Sequence, residues 1–288
     1  MRKTTTYLLA AFLLSGTGAI WAQNFQPIHV PLSDPSKPAR IHLHLLMGSI
    51  TVRGAADSKE VVVEAGRAHP RDHDDMPEPP EPPEPPERGQ RPVPPGMHRL
   101  DLNGTGGLDI KEDHNNIEIK SNAWMRNADI TLLVPRHSSL ELKSVTNGGI
   151  EVDQVDGELD VEALNGRISL NDVSGAVVAH SLNGEIVAKL DHVDPSKPMS
   201  FSTLNGVIDV SLPESVKATV RLKTDNGAIY SDFDVRMEGA PQVVDNNTDG
   251  RGSHHYRVDR TLRGTINGGG AEYTFTSFNG TIYIRKRK

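Results

Sequence analysis

Apolar and polar residues alternate with period two over much of the chain, which predicts strands and not helices. Upstream, Ala39–Leu46 (ARIHLHLL), Val61–Glu64, Ile117–Lys120, Asp129–Val134 and Ser139–Lys143 read this way. Downstream, His255–Val258, Glu272–Thr276 and Thr281–Ile284 do the same. Beyond the first 22 residues no stretch of ten or more shows the 3.6-residue period of an amphipathic helix. The fold class is all-β.

A short phrase recurs through this alternation: NGGIEV at Asn147, NGRISL at Asn165, NGEIVA at Asn183, NGVIDV at Asn205, NGAIYS at Asn226 and NGTIYI at Asn279. MGSITV at Met47 is a degenerate first copy. The repeats are ~18–22 residues long until a wider gap before Asn279, which must hold an excursion. Two units align without gaps: Ile150 with Ile168, Val152 with Leu170, Val155 with Val173, Gly157 with Gly175. Leu159, Val161 and Leu164 then match Val177, Ala179 and Leu182. Each unit reads as two short strands, with one turn at Val-x-Gly and another at Asn-Gly. Asn and Gly both tolerate the left-handed backbone region, which such a turn is expected to use.

Two geometries fit these units. Coils can stack with equal positions above one another, a β-solenoid or β-helix-like arrangement, or each Asn-Gly can close an antiparallel hairpin. Stacking is favoured, because near-identical units place Ile on Ile and Asn on Asn. The low aromatic content (5%) agrees with a thin interior filled by Ile, Val, Leu and Ala. A roll or sandwich remains the alternative.

Composition sets limits on what the fold carries. The net charge of −7 disfavours nucleic acid as a partner, since phosphate attraction needs a positive footprint. With no Cys there are no disulfides, thiolate metal sites or thiol nucleophiles. Arg2 and Lys3 precede an apolar run, Tyr7–Ala22, that ends in a small residue, so residues 1–22 read as a secretory signal peptide cut after Ala22. An export compartment follows, periplasmic or extracellular at the cell surface, with no integral membrane segment after cleavage. Residues 23–68 hold the first strands, 69–96 an inserted Pro/Glu-rich loop, and 97–288 the repeats. Within the insert, Pro77–Glu87 (PEPPEPPEPPE) prefers polyproline II and would span ~34 Å in that form.

The strand ending in Val-Pro at Leu132–Pro135, the Ser-rich strand start after it, and the serial x-NG-x-I-x-V units with V-x-G turns carry a likeness. So do Gly264–Gly270 (GTINGGG) and the TSFNGTIYIRKR that follows. Together they resemble the bacterial putative-adhesin family, a β-strand-repeat domain of unknown function. The resemblance covers Ala39 to Arg287, interrupted by the proline insert. It implies a secreted or envelope β-solenoid and supplies no catalytic residues.

Candidate chemistry is sparse. Asp245, Asn247 and Asp249 in DNNTDG have the start of a calcium loop, with oxygen ligands at alternate positions before a Gly. The bidentate Glu that would close an EF-hand is replaced by Tyr256, and a solvated turn is the simpler reading. No other cofactor is expected. His42 and His44 share one strand face, while His69 with His73 and His254 with His255 fall in loops; none has a spacing that fixes three metal ligands. Glu151, Asp153, Asp160 and Glu162 are the acids a polysaccharide lyase or hydrolase would recruit, yet any soluble strand carries such residues. The repeated Asn side chains are read as structural, satisfying one another and the backbone. The basic tail Arg285–Lys288 either blocks an open strand edge or touches an anionic polymer or lipid. The expectation is therefore an exported non-enzymatic repeat protein that binds an envelope or extracellular polymer or protein. A carbohydrate-active enzyme and a structural envelope stress-response protein are the alternatives.

Overall fold

The isoleucine that follows each corner organises the architecture. Ile130, Ile50, Ile150, Ile168, Ile186, Ile208, Ile282 and Ile229 lie side by side in that order, each on a strand paired in parallel with the next. All but Ile229 are buried, so identical β-branched side chains stack rung on rung through the core. This is a computed structural model, and it describes residues 27–56, 58–67, 108–121, 128–146, 148–238, 243–245, 256–258 and 261–287. The expected signal peptide and the proline tract lie outside these residues.

Two parallel ladders enclose the core. The first runs Asn116–Ser121, Ala39–Met47, Ser138–Thr146, Asp156–Asn165, the second half of Ile168–Asn183, Met199–Asn205, Ala271–Asn279 and Ala218–Asn226. The second runs Ala128–Pro135, Ile50–Ala55, Ile150–Asp153, the first half of Ile168–Asn183, Ile186–Val193, Ile208–Leu212, Ile282–Lys286 and Ile229–Ser231. One strand from each ladder and the corner between them make a rung, named here by its isoleucine. The described residues are all-β, a β-solenoid-like stack, and among them no helix is long and apolar enough to cross a membrane.

Rung order departs from chain order at both ends. Met47 and Asn279, which stand first and last in the sequence series, sit one rung in from each end. The Ile50 rung lies between the Ile130 and Ile150 rungs, and the Ile282 rung lies between the Ile208 and Ile229 rungs. Antiparallel strands cover three of the four outermost strands among the described residues, all but Ile229–Ser231. Glu60–Arg67 and then Ile28–Pro31 cover Ala128–Pro135, and Leu108–Asp113 covers Asn116–Ser121. At the other end Leu262–Ile266 and then Val235–Met237 cover Ala218–Asn226. Such caps pair edge groups that would otherwise recruit another chain.

The corner glycines correct the expected backbone. None of Asn165, Asn183, Asn205, Asn226 and Asn279, nor the glycine after each, has positive φ. What excludes a side chain is proximity: a Cβ on Gly166, Gly184, Gly206, Gly227 or Gly280 would meet the carbonyl carbon of the neighbouring rung's glycine at 2.6–2.7 Å. By contrast, Asn267–Gly268, in the turn between Leu262–Ile266 and Ala271–Asn279, has φ of 49° and 91°. In the second kind of turn, positive φ falls on Gln154 and Asp172, one residue before the buried Val155 and Val173. The interior also takes larger groups than expected. Tyr273, Phe201 and Phe275 are fully buried, the two Phe rings stacked at 5.3 Å.

Candidate binding surfaces

The Asn side chains form a one-way amide rail along the first corner. Asn183 Nδ2 donates to Asn165 Oδ1 at 2.9 Å, Asn205 to Asn183 at 2.7 Å, Asn279 to Asn205 at 2.7 Å and Asn226 to Asn279 at 2.8 Å. Behind it, Ser181, Thr203, Ser277 and Thr224 hydroxyls donate to glycine carbonyls of adjacent rungs. Asn147 lies outside the described residues.

Beside the rail runs an exposed apolar row: Leu46, Val145, Leu164, Leu204 and Phe278 are 40–51% exposed, with the half-buried Leu182 in register among them. Sequence alternation had grouped Leu164 with the core residues Leu159 and Val161. In the fold Ala163 and Ser181 take the inward positions, and the leucine before each Asn turns outward. Six rungs at ~4.8 Å make a row of about 24 Å.

The rest of that outer face is charged over its first rungs and hydroxyl-rich over Met199–Asn205 and Ala271–Asn279, with Arg221 and Lys223 on the last strand. Glu141 accepts from His42 Nδ1 at 2.8 Å and from Lys143 at 3.1 Å, with His44 Nε2 at 3.6 Å. Lys143 first, and His42 second, hold the Glu141 carboxyl down at about 2. Ser200 and Ser202 pair in register with Thr274 and Thr276, and His180 Nδ1 lies 2.7 Å from Ser202 Oγ.

A groove of about 580 Å³ lies at the opposite end of the same strands. It is bounded by Pro38 at one end and by Asp194 and Lys197 at the other, which belong to two copies of one pentapeptide, Asp34-Pro35-Ser36-Lys37-Pro38 and Asp194-Pro195-Ser196-Lys197-Pro198. In each copy the Asp Oδ1 accepts from the Ser amide and hydroxyl, and the Lys amide donates to the Asp carbonyl. These bonds lower both Asp pKa values, Asp34 to about 2. The three rungs between the walls lack this loop and form a saddle floored by Ser138, Gly157 and Gly175. His137 Nδ1 lies 3.0 Å from Asp156, and Lys197 reaches Glu158 at 2.6 Å, which lowers the Glu158 pKa. Arg40, His192 and Asp194 complete the rim. The repeated pentapeptide was the sequence signal for this site.

On the second ladder's outer face Tyr230 stacks on Tyr283 at 5.3 Å, and Arg285 lies 4.9 Å from the Tyr283 ring. The described residues of the basic tail, Arg285, Lys286 and Arg287, are each held by an acid, and Lys288 lies outside the described residues. Ile282, Tyr283 and Ile284 are paired on both sides and Arg285 and Lys286 on one; Arg285 donates to Asp209 at 2.8 Å, Lys286 reaches Glu214 at 3.3 Å, and Arg287 lies 2.6 Å from Asp172 and 2.7 Å from Asp191. Glu151 and Asp153 stand on the second ladder and Asp160 and Glu162 on the first, so these four acids do not converge. Asp245 ends the strand Val243–Asp245, while Asn247 and Asp249 lie outside the described residues, as do His69, His73, His254 and His255. Among the described residues no three His, Asp or Glu are grouped to hold a metal ion.

Comparison with known proteins gives a family and two distant structural likenesses. A family model described as Toastrack DUF4097 matches residues 103–267, more than half of the chain. The two rungs set in from the ends, Ile50 and Ile282, fall outside that match. A "putative cell adhesion protein" from Clostridium sporogenes ATCC 15579 is 8% identical, with 91% of this chain and 100% of that one covered and a TM-score of 0.38. A "putative adhesin" from Bacteroides fragilis NCTC 9343 is 10% identical, with 91% and 96% covered and a TM-score of 0.30. No curated protein matches the chain.

Proposed function

We propose that this chain, which belongs to the Toastrack DUF4097 family, is an exported, non-enzymatic β-solenoid that binds an envelope or extracellular polymer or protein through the outer face of its first ladder. The observation that carries the reading is the row Leu46, Val145, Leu164, Leu204 and Phe278, kept exposed beside a polar rail. Apolar side chains left in water in a continuous row are the usual mark of an interaction surface. Equivalent contacts at every rung add up through multivalency, so each can be weak. Export is supported by the basic start and apolar run of residues 1–22.

Binding without catalysis is supported by the carboxylates. Every Asp or Glu with a shifted pKa among the described residues is shifted down, as at Glu141, Glu158 and Asp194, whereas a general acid needs a raised one. The test passes Gln23–Lys288 and L164D/L204D over peptidoglycan, neutral and acidic polysaccharides and envelope extract, scoring retention and new reducing ends together. Retention of the parent chain but not the double variant is expected. Equal retention of both overturns the outer-face reading, and new reducing ends overturn the non-enzymatic one.

A further inference from the structure

We infer that the saddle between the two Asp-Pro-Ser-Lys-Pro loops is a second binding site, one that takes a neutral polyhydroxylated chain, an oligosaccharide segment. The inference goes beyond the outer-face reading. The saddle is separated from the apolar row by about 20 Å, six residues along the same strands, and the two surfaces fail independently.

The site is permanent and preorganised. Its floor cannot fill, because a Cβ on Gly157 would meet the Ser138 carbonyl carbon at 2.8 Å, and Gly175 has φ of 107°. Two prolines and an Asp–Ser bond pair stiffen each wall, so little loop entropy is lost on binding. The walls stand four rungs apart, about 19 Å between backbones, and the volume is of the size that takes a small ligand or a length of chain.

The lining selects the ligand class. Val193, Ala176 and Pro38 are its apolar members, too few to take up a lipid tail. With His neutral, Arg40 and Lys197 face Asp156, Glu158 and Asp194, a balance that offers a polyanion nothing. A peptide would seek strand pairing, but the floor backbone is already committed. Asp156 N–H donates to the Arg136 carbonyl at 2.7 Å, Ser174 N–H to the Val155 carbonyl at 3.0 Å, and Gly157 is paired in register with Gly175. Recognition therefore falls to side chains. Arg40, His192, Asp194 and the His137–Asp156 and Lys197–Glu158 pairs keep protons and lone pairs free at the rim, where sugar hydroxyls both donate and accept.

The experiment titrates cellohexaose and chitohexaose into Gln23–Lys288 by calorimetry, beside A176W, R40A and L164D/L204D. Ala176 faces outward on the saddle, so a Trp there fills the groove without entering the core. The expected result is saturable binding of at least one hexasaccharide, weakened tenfold or more in A176W and R40A, unchanged in L164D/L204D, with melting temperatures alike. Binding lost in L164D/L204D but kept in A176W would overturn the saddle and leave the outer-face reading standing. No binding of either sugar at millimolar concentration overturns the proposal without touching retention on envelope material. A random-sequence peptide pool that binds the parent chain but not A176W overturns the ligand class.

Discussion

Replacing Gly184 by Ala asks whether the corner glycines are needed for backbone conformation or for room. The new Cβ would lie 2.6 Å from the Gly166 carbonyl carbon, with the carbonyl oxygen nearer still and the Ser181 hydroxyl at 2.9 Å. Carbon atoms in good contact sit ~3.5–4.0 Å apart, so the rungs must part locally by about 1 Å. Overpacking of this kind costs roughly 1–3 kcal/mol. Parting the rungs also strains the Gly166 N–H bond to the Asn183 carbonyl at 3.1 Å and the Asn183–Asn165 amide bond at 2.9 Å, each worth about 1 kcal/mol. G184A should therefore lose about 3 kcal/mol in urea unfolding. The control is G268A in the turn after Leu262–Ile266, where φ is 91° but a Cβ would meet nothing within 4 Å. Only the left-handed penalty of about 1–2 kcal/mol applies there. A G184A chain within 0.5 kcal/mol of the parent, or a G268A chain less stable than G184A, would refute the argument from proximity.

Two further outcomes follow from the interior and the charged face. The Tyr273 hydroxyl is buried with no hydrogen-bond partner among the described residues, and burial, the larger cause, raises its pKa. Y273F removes an unsatisfied donor, so it should gain about 1 kcal/mol and melt about 2–4 °C higher; a lower melting temperature would contradict this. Glu141 has its pKa depressed from 4.5 to about 2 in the folded state, so its stabilising contribution is present above pH 4.5 and is lost as pH falls through 4.5 towards 2. E141Q should flatten the acid limb of a stability–pH curve in that window and leave its shape above pH 6 unchanged. An identical acid limb in the two proteins would remove the contribution.

Period-two alternation was enough to place most strands, because an inward Ile or Val every second residue is what a two-layered ladder buries. Phase was harder to read. Leu164 and Leu182 are apolar residues just past the last inward position, and Ala163 and Ser181 are too small or polar to look like core. Ser181 can take the inward position because its hydroxyl donates to the Gly166 carbonyl, a bond that alternation along the chain does not encode. Rung order was not legible, for a physical reason: a stack of near-identical rungs makes every pairing locally equivalent, so nothing in NGVIDV or NGTIYI says which must be adjacent. The caps decide it, through antiparallel pairings such as that of Leu262–Ile266 with Ala218–Asn226, which resemble no repeat. The groove walls were legible in principle, as one pentapeptide occurring twice, but their meaning needed the three shorter coils between them.

The outer face and the saddle both depend on the rungs lying in this order, and the absence of Cys makes that order directly measurable. Ser202 pairs in register with Thr276, and Thr276 with Lys223, so Ser202 and Lys223 stand two rungs apart. Adjacent rungs put the first pair about 4.8 Å apart at Cα and the second about 9.6 Å, and a disulfide needs roughly 4.4–6.8 Å. Under mild oxidation S202C/T276C should close an intramolecular disulfide quantitatively and S202C/K223C should not. A disulfide in S202C/K223C with none in S202C/T276C would place the Asn226 corner directly on the Asn205 corner and contradict the inserted carboxyl-terminal rung.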